Sequence, residues 1–136
     1  MKKNTMRLIL LLLLTLAVSC KKESEETCDK SSLKGTWIWE KSVGGFGGWT
    51  LTPESEKTSQ KIVIDDLTFT WYHGDSIIIK NQYDYKLSED VIFGTEEKTY
   101  IELADGTNFS VELKDDKLVL IDWCFDCYHH HFHRSK

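Results

Sequence analysis

Four histidines crowd the end of the chain, His129, His130, His131 and His133, and two cysteines precede them as Cys124-Phe125-Asp126-Cys127. Imidazole and thiolate are the usual protein ligands of Zn²⁺ and Cu²⁺, so metal binding is the first chemistry to weigh. On a strand, His129, His131 and His133 point to one side and His130 to the other. Residues two apart stand roughly 6.5–7 Å from each other, close enough for two imidazoles to share one ion, whereas His129 and His133 are too far apart to join them. Tyr128, His130 and Phe132 make the more apolar phase and are expected inside, which leaves the other three on solvent with Glu40 as the nearest carboxylate. His129, His131 and His133 are therefore weak metal candidates, and no metal or other cofactor is assigned.

The cysteine pair admits two readings. A Cys-x-x-Cys is a redox motif in a βαβ setting, but no such pattern surrounds it. On a straight strand its side chains point to opposite faces and cannot bridge; in a tight turn, which Asp126 favours, they can. Cys124 and Cys127 either pair with each other or stay reduced, because Cys28 is expected at the opposite end of the molecule. No Ser/His/Asp order, phosphate loop or paired-carboxylate motif stands out, so no enzymatic activity is expected. The remaining chemistry is aromatic: Phe46, Trp49, Trp71, Tyr72, Tyr83 and Trp123, with His130, are the residues expected to touch a small apolar ligand.

The elements that must position these groups are strands. Lys34 to Val43 places Trp37, Trp39 and Val43 in one phase and Thr36, Ile38, Glu40 and Ser42 in the other. Gly44 to Gly48 interrupts it with a flexible loop around Phe46. Trp49 to Ser59 holds a short edge segment. Gln60 to Asp65, Leu67 to Tyr72 and Ser76 to Leu87 follow across Asp65-Asp66 and His73-Gly74-Asp75. In the last of these Asn81 interrupts the apolar phase of Ile77, Ile79, Tyr83 and Tyr85. Ser88 to Glu97 is a long connection. Lys98 to Leu103, Thr107 to Leu113, Leu118 to Trp123 and Cys127 to Arg134 complete about eight strands joined by short turns. No helix-period segment of useful length appears after the first residues. Such a meander removes its exposed edges by closing, so the fold class is all-β, a single antiparallel up-and-down barrel.

Closure brings the last strand beside the first. Gly35-Thr36-Trp37 then lies at the barrel floor with Arg134 stacked on the indole, a cation–π contact of roughly 0.5–2 kcal/mol. Gly35, Trp37 and Arg134 are structural residues in this reading. The loops at Gly44 to Gly48, His73 to Asp75, Ala104 to Gly106 and Trp123 to Asp126 share one rim, and the remaining turns share the floor.

The first residues give an address. Lys2, Lys3 and Arg7 precede the apolar run Leu8 to Leu14, which is shorter than the roughly 20 residues that span a bilayer and reads as a secretory signal. It ends Leu16-Ala17-Val18-Ser19-Cys20, which resembles the lipobox of bacterial lipoproteins, with Ala17 where leucine is usual. That resemblance implies lipidation, for example with palmitate, at Cys20. It divides the chain into a signal peptide (1–19), a lipidated tether (20–32) and a barrel domain (33–136). Lys21 stands where some lipoproteins carry the aspartate that retains them at the inner membrane, and the acidic cluster Glu23, Glu25 and Glu26 resembles surface-export signals of some Gram-negative lipoproteins; the resemblance implies an outer-membrane lipoprotein facing the periplasm or the cell surface. Removing residues 1–19 takes away three basic residues and no acidic one, leaving 22 acidic against 14 basic, a net charge of −8. Such a surface excludes nucleic acid as a partner and leaves the lipid as the link to the membrane.

Gly35-Thr36-Trp37 with Arg134 resembles the lipocalins, which carry an early Gly-x-Trp and a late basic residue packed on it. The likeness is closer to small lipocalin-like lipoproteins of Gram-negative bacteria. Gly35-Thr36-Trp37-Ile38-Trp39 running into Gly44-Gly45, Thr52-Pro53-Glu54-Ser55, and the tail with Cys124, Asp126, Tyr128, His130, Phe132 and Arg134 carry it. Cys127 and the outer histidines depart from it. The resemblance implies an eight-stranded barrel and, through the lipocalins, a small apolar ligand at the mouth. The alternative is a filled barrel serving as a structural or protein-interaction module. The sequence leaves the oligomeric state open.

Overall fold

The computed structural model describes residues 29–88 and 98–136. Cys20, Cys28, the signal segment and Val91-Ile92-Phe93 lie outside them. The described chain is a closed antiparallel barrel. A one-turn helix α1 (Lys30–Leu33) leads into β1 (Gly35–Gly44), followed by β2 (Trp49–Leu51), a one-turn helix α2 (Pro53–Glu56), β3 (Gln60–Ile64), β4 (Thr68–His73), β5 (Ser76–Ser88), β6 (Lys98–Leu103), β7 (Asn108–Lys114), β8 (Lys117–Asp122) and β9 (Tyr128–Arg134). The seven strands from β3 to β9 pair each with the next, and β1 closes the ring as the eighth, between β3 and β9. The short β2 is a ninth strand that pairs only with the end of β1, from Ser42↔Leu51 to Gly44↔Trp49. It occupies the edge segment read before Ser59, and Pro53 begins α2 under a Thr52–Ser55 capping box.

The floor is built as the sequence indicates. Trp37 is fully buried and pairs with Arg134 across β1 and β9. The guanidinium carbon stands 4.2 Å from the indole centroid. Arg134 also donates to the carbonyls of Lys34 (2.6 Å) and Ser32 (2.7 Å), while Trp37 Nε1 donates to Leu33 O at 2.8 Å. The segment expected to be tether therefore contributes α1 to the floor, with Leu33 buried beneath the indole layer. Gly35 has φ +135°, a backbone conformation that favours glycine, and it leaves room for Arg134 Nη1, which a Cβ there would meet at 2.9 Å.

Two bulges change what the alternation predicts. The register between β1 and β9 shifts between Trp39 and Lys41. One extra residue reverses the phase of the strand. Ser42, expected outside, is buried, and Val43, expected inside with Trp37 and Trp39, faces outward. A second shift between Trp71 and Tyr72 on β4 acts on β5: Ile77 and Ile78 are exposed, whereas Ile79, Tyr83 and Tyr85 pack on the core.

The strand stagger moves one loop from its expected place. The first half of β5 pairs with β4 and the second half, from Tyr83, with β6. The tilt that closes a barrel requires this offset. It drops the hairpin at Ala104 to Gly106 onto the middle of β5, where Ala104 N donates to Gln82 O (3.0 Å) and Asn81 Nδ2 to Asp105 Oδ2 (2.7 Å). That bond accounts for the polar Asn81. The hairpin lies on the barrel side between a small cleft at Lys30, Leu67 and Tyr83 and the loop at Trp123, not on the rim with the glycine loop.

Candidate functional site: the rim and its outer-wall cleft

Among the described residues, large side chains occupy the barrel interior. Trp37, Trp39, Phe69, Trp71, Phe109 and Phe132 are buried along its axis with Ile62, Ile64, Ile101, Leu118 and Leu120. Phe69 stacks on Phe109 at 5.9 Å, and Trp71 meets Phe132 edge-on at 5.7 Å. Trp71 and Tyr83, expected to touch a ligand, are members of this core.

Above the aromatic layer lies a chain of polar groups. Trp39 Nε1 donates to Ser42 Oγ (2.9 Å), which lies 2.7 Å from His130 Nδ1; His130 Nε2 lies 3.3 Å from Asp122 Oδ2. Ser42 Oγ and His130 Nδ1 share one hydrogen bond, and the other ring nitrogen, Nε2, faces Asp122. Tyr128 N donates to the same carboxylate at 3.3 Å, and the edge of His130 meets Trp71 at 5.0 Å. A serine, a histidine and an aspartate are thus in line, although no order in the sequence announces them. Ser42 is only 2% exposed and its hydroxyl is engaged on both sides, so the arrangement satisfies the buried Trp39 N–H and holds the hydroxyl out of reach of a substrate carbonyl.

The rim itself is made by two loops. Residues 123–127 connect β8 and β9 as a tight turn in which Asp126 has φ +56° and Cys124 is bonded to Cys127 with Cα atoms 5.6 Å apart. Of the two states open to these cysteines, the bridge is the one present. The glycine loop docks on this turn through Gly45 N to Cys127 O (3.3 Å). Gly44 has φ +149°, and a Cβ there would fall 2.1 Å from Cys127 O, which fixes a glycine at the seam. Phe46 is 92%, Trp49 59% and Phe125 77% exposed around it.

Trp123 does not stand over the mouth. It folds back on the outer wall, donating from Nε1 to Ser110 Oγ (2.8 Å) with its ring 5.0 Å from Tyr100. Beside it opens a cleft of about 670 Å³, lined by Val43, Ile121, Trp123, Phe125, His129 and His131, with Asp122 and Lys98 also in its wall. Burial lowers the pKa of His131 from its ordinary value, aided by Lys41 and His129, so its charged form is disfavoured there.

The seven residues expected to meet a ligand are dispersed. Trp123 lines the cleft; Phe46 belongs to the glycine loop and Trp49 begins β2 directly after it; His130 belongs to the polar chain; Trp71 and Tyr83 are core; and Tyr72 lies on the outer wall with Lys61 Nζ 4.9 Å from its ring centroid. Val43, Ile121 and Asp122 were missed. Leu118 to Trp123 reads in the sequence as a buried-type run, and nothing there marks Trp123 as folding outward to make a cleft over Ile121. Among the described residues, three metal-type ligands come together at Asp122, Cys124 and Cys127, within 4.8 Å of one another. The bridge removes the two sulfurs from ligation. The outer histidines form no such group; His133 Nδ1 lies 3.2 Å from Glu40 Oε1.

Comparison of the chain with known protein families, with curated proteins and with solved structures gives no match.

Proposed function

We propose that the chain is a lipocalin-like, non-catalytic binding lipoprotein, anchored to an outer membrane by lipid on Cys20, which takes a small apolar molecule at its rim. The observation that carries this reading is the cleft of about 670 Å³ beside Trp123. Its size falls in the roughly 300–1,000 Å³ range of ligand sites, and an apolar wall with a few polar groups at the margin is their usual composition. The interior is already occupied by aromatic side chains, so the proposed site lies outside the barrel wall, not in the lumen. The stacked Trp37 and Arg134 support the likeness to lipocalins, and the net charge of −8 argues against nucleic acid.

Native mass spectrometry of the protein purified from its own host, with titration by an apolar naphthalene-sulfonate dye, tests the ligand. One dye should bind per chain, Ile121→Asp should abolish binding, and Phe46→Ala should leave it unchanged. A wild-type chain that neither carries a small molecule nor binds the dye ends this reading. For the anchor, Cys20→Ala should leave the membrane fraction; a variant that stays with the membranes refutes it. A second reading, a protein-interaction module, rests on Phe46, Trp49 and Phe125, which expose aromatic area around one seam.

A further inference from the structure

We propose that the Cys124–Cys127 bridge is a thiol–disulfide exchange site, with a small thiol as its co-reactant and Asp122 as the proton carrier. The proposal does not depend on the cleft's holding a ligand. Three observations carry it.

First, the bridge is not the only tie that holds its turn. It spans a sequence separation of three, and a loop so short gains little stability from closure. Other bonds hold the turn: Cys124 N to Asp122 O at 3.0 Å, Gly45 N to Cys127 O at 3.3 Å, and the pairing of Ile121 with His129. The sulfurs can therefore separate without opening the barrel and stay near enough to close again.

Second, the two sulfurs are unequal. Cys124 is exposed at the tip of the turn and Cys127 is half-buried against the glycine seam. An incoming thiolate can reach Cys124, which makes Cys127 the leaving sulfur.

Third, the Asp122 carboxylate lies within 4.8 Å of both sulfurs. It is half-buried and held in place by His130 and Tyr128 N. A negative charge gives nothing to a neutral disulfide. It acts when a thiolate forms beside it, because it raises that thiol's pKa and favours the protonated product.

The step balances as follows. The incoming thiol gives its proton to Asp122, and its sulfur bonds to Cys124 Sγ. The Cys124–Cys127 bond breaks, its electron pair stays on Cys127 Sγ, and Cys127 takes the proton from Asp122. A second thiol then attacks the mixed disulfide at the small molecule's sulfur; the bond from that sulfur to Cys124 Sγ breaks, its electron pair stays on Cys124 Sγ, and Cys124 takes the second thiol's proton. The products are a small-molecule disulfide, which is the oxidised species, and the protein dithiol, which is the reduced one. The same small disulfide reverses the sequence and restores the bridge.

Reduced glutathione tests the proposal on the full chain, with trapped thiols mapped by peptide mass and the fold followed by near-ultraviolet circular dichroism. The bridge should open in the folded barrel, and the first glutathione adduct should sit on Cys124. Asp122→Asn should slow opening about tenfold or more and flatten its pH profile, as loss of a positioned acid–base group does. Asp122→Glu should recover part of the rate. A bridge that opens only when the barrel unfolds, an adduct on Cys127, or an Asp122→Asn rate and pH profile equal to wild type would each overturn it. The adduct position is read on the wild-type chain, so the test survives a variant that fails to fold.

Discussion

The two ends of this barrel handle the same residue types in opposite ways. At the floor, an aromatic ring is sealed: Trp37 lies under Arg134, its N–H is bonded to Leu33 O, and the guanidinium closes over the carbonyls of α1. At the rim, Phe46, Trp49 and Phe125 stand in solvent, while the polar groups Ser42, His130 and Asp122 are drawn inward. The floor stabilises the fold by burying rings and pairing the Trp37 N–H and the Arg134 guanidinium with backbone carbonyls. The rim forgoes that stabilisation, since each exposed ring leaves apolar area in water at about 25 cal/mol per Å². An end that the fold does not need closed can leave such groups open to solvent without loss of the barrel.

This contrast can be broken most strongly at Trp37. Trp37→Ala should cost about 3–5 kcal/mol in chemical denaturation, because the cavity lies beneath a rigid lid of α1 and Arg134. Arg134→Ala should come next, at about 2–3 kcal/mol, since it removes the stacking and two charge-assisted hydrogen bonds together; a loss under about 0.5 kcal/mol would mean the floor is held by packing alone. At the polar chain beneath the rim, Ser42→Ala strands the Trp39 N–H and should cost about 1–2 kcal/mol. A neutral result there would place the chain among dispensable contacts.

Alkali should loosen the floor side. Burial, then Asp65 and Asp66, push the Tyr83 phenol up to about 12 from its ordinary 10.0, and its hydroxyl donates to Asp65 O at 2.9 Å. Between these values the folded chain keeps a proton that the unfolded chain has released, so unfolding becomes easier as pH rises from 10.0 toward about 12. Tyr83→Phe should flatten that part of a stability–pH curve; an equally steep curve in the variant assigns the fall to other groups. The smallest effect is expected at the rim, where Phe46→Ser should shift stability by less than about 0.5 kcal/mol. A large loss would show that the exposed ring supports the fold after all.

The sequence by itself determined the architecture and its floor. Alternation and turn residues gave eight strands in a meander, a meander must close, and closure fixes which strand lies beside β1; Gly35, Trp37 and Arg134 then fall together because their strands are adjacent and in register. It also set the facing of His130 and Phe132, since no bulge interrupts β9. The tertiary structure alone decided the rim. A bulge between Trp39 and Lys41 turned Ser42 inward and Val43 outward, and one added residue leaves no mark in the composition of a strand. The stagger of β5 shifted the hairpin at Ala104 to Gly106, because shear is a property of the closed ring and not of any strand in it. Trp123 turned onto the outer wall to reach Ser110 on β7, a partner thirteen residues away in sequence whose nearness depends on the pairing of β7 with β8. Period-two patterns report which face a residue takes on a regular strand, whereas the cleft and the Asp122 contact to the bridge arise where the strands cease to be regular.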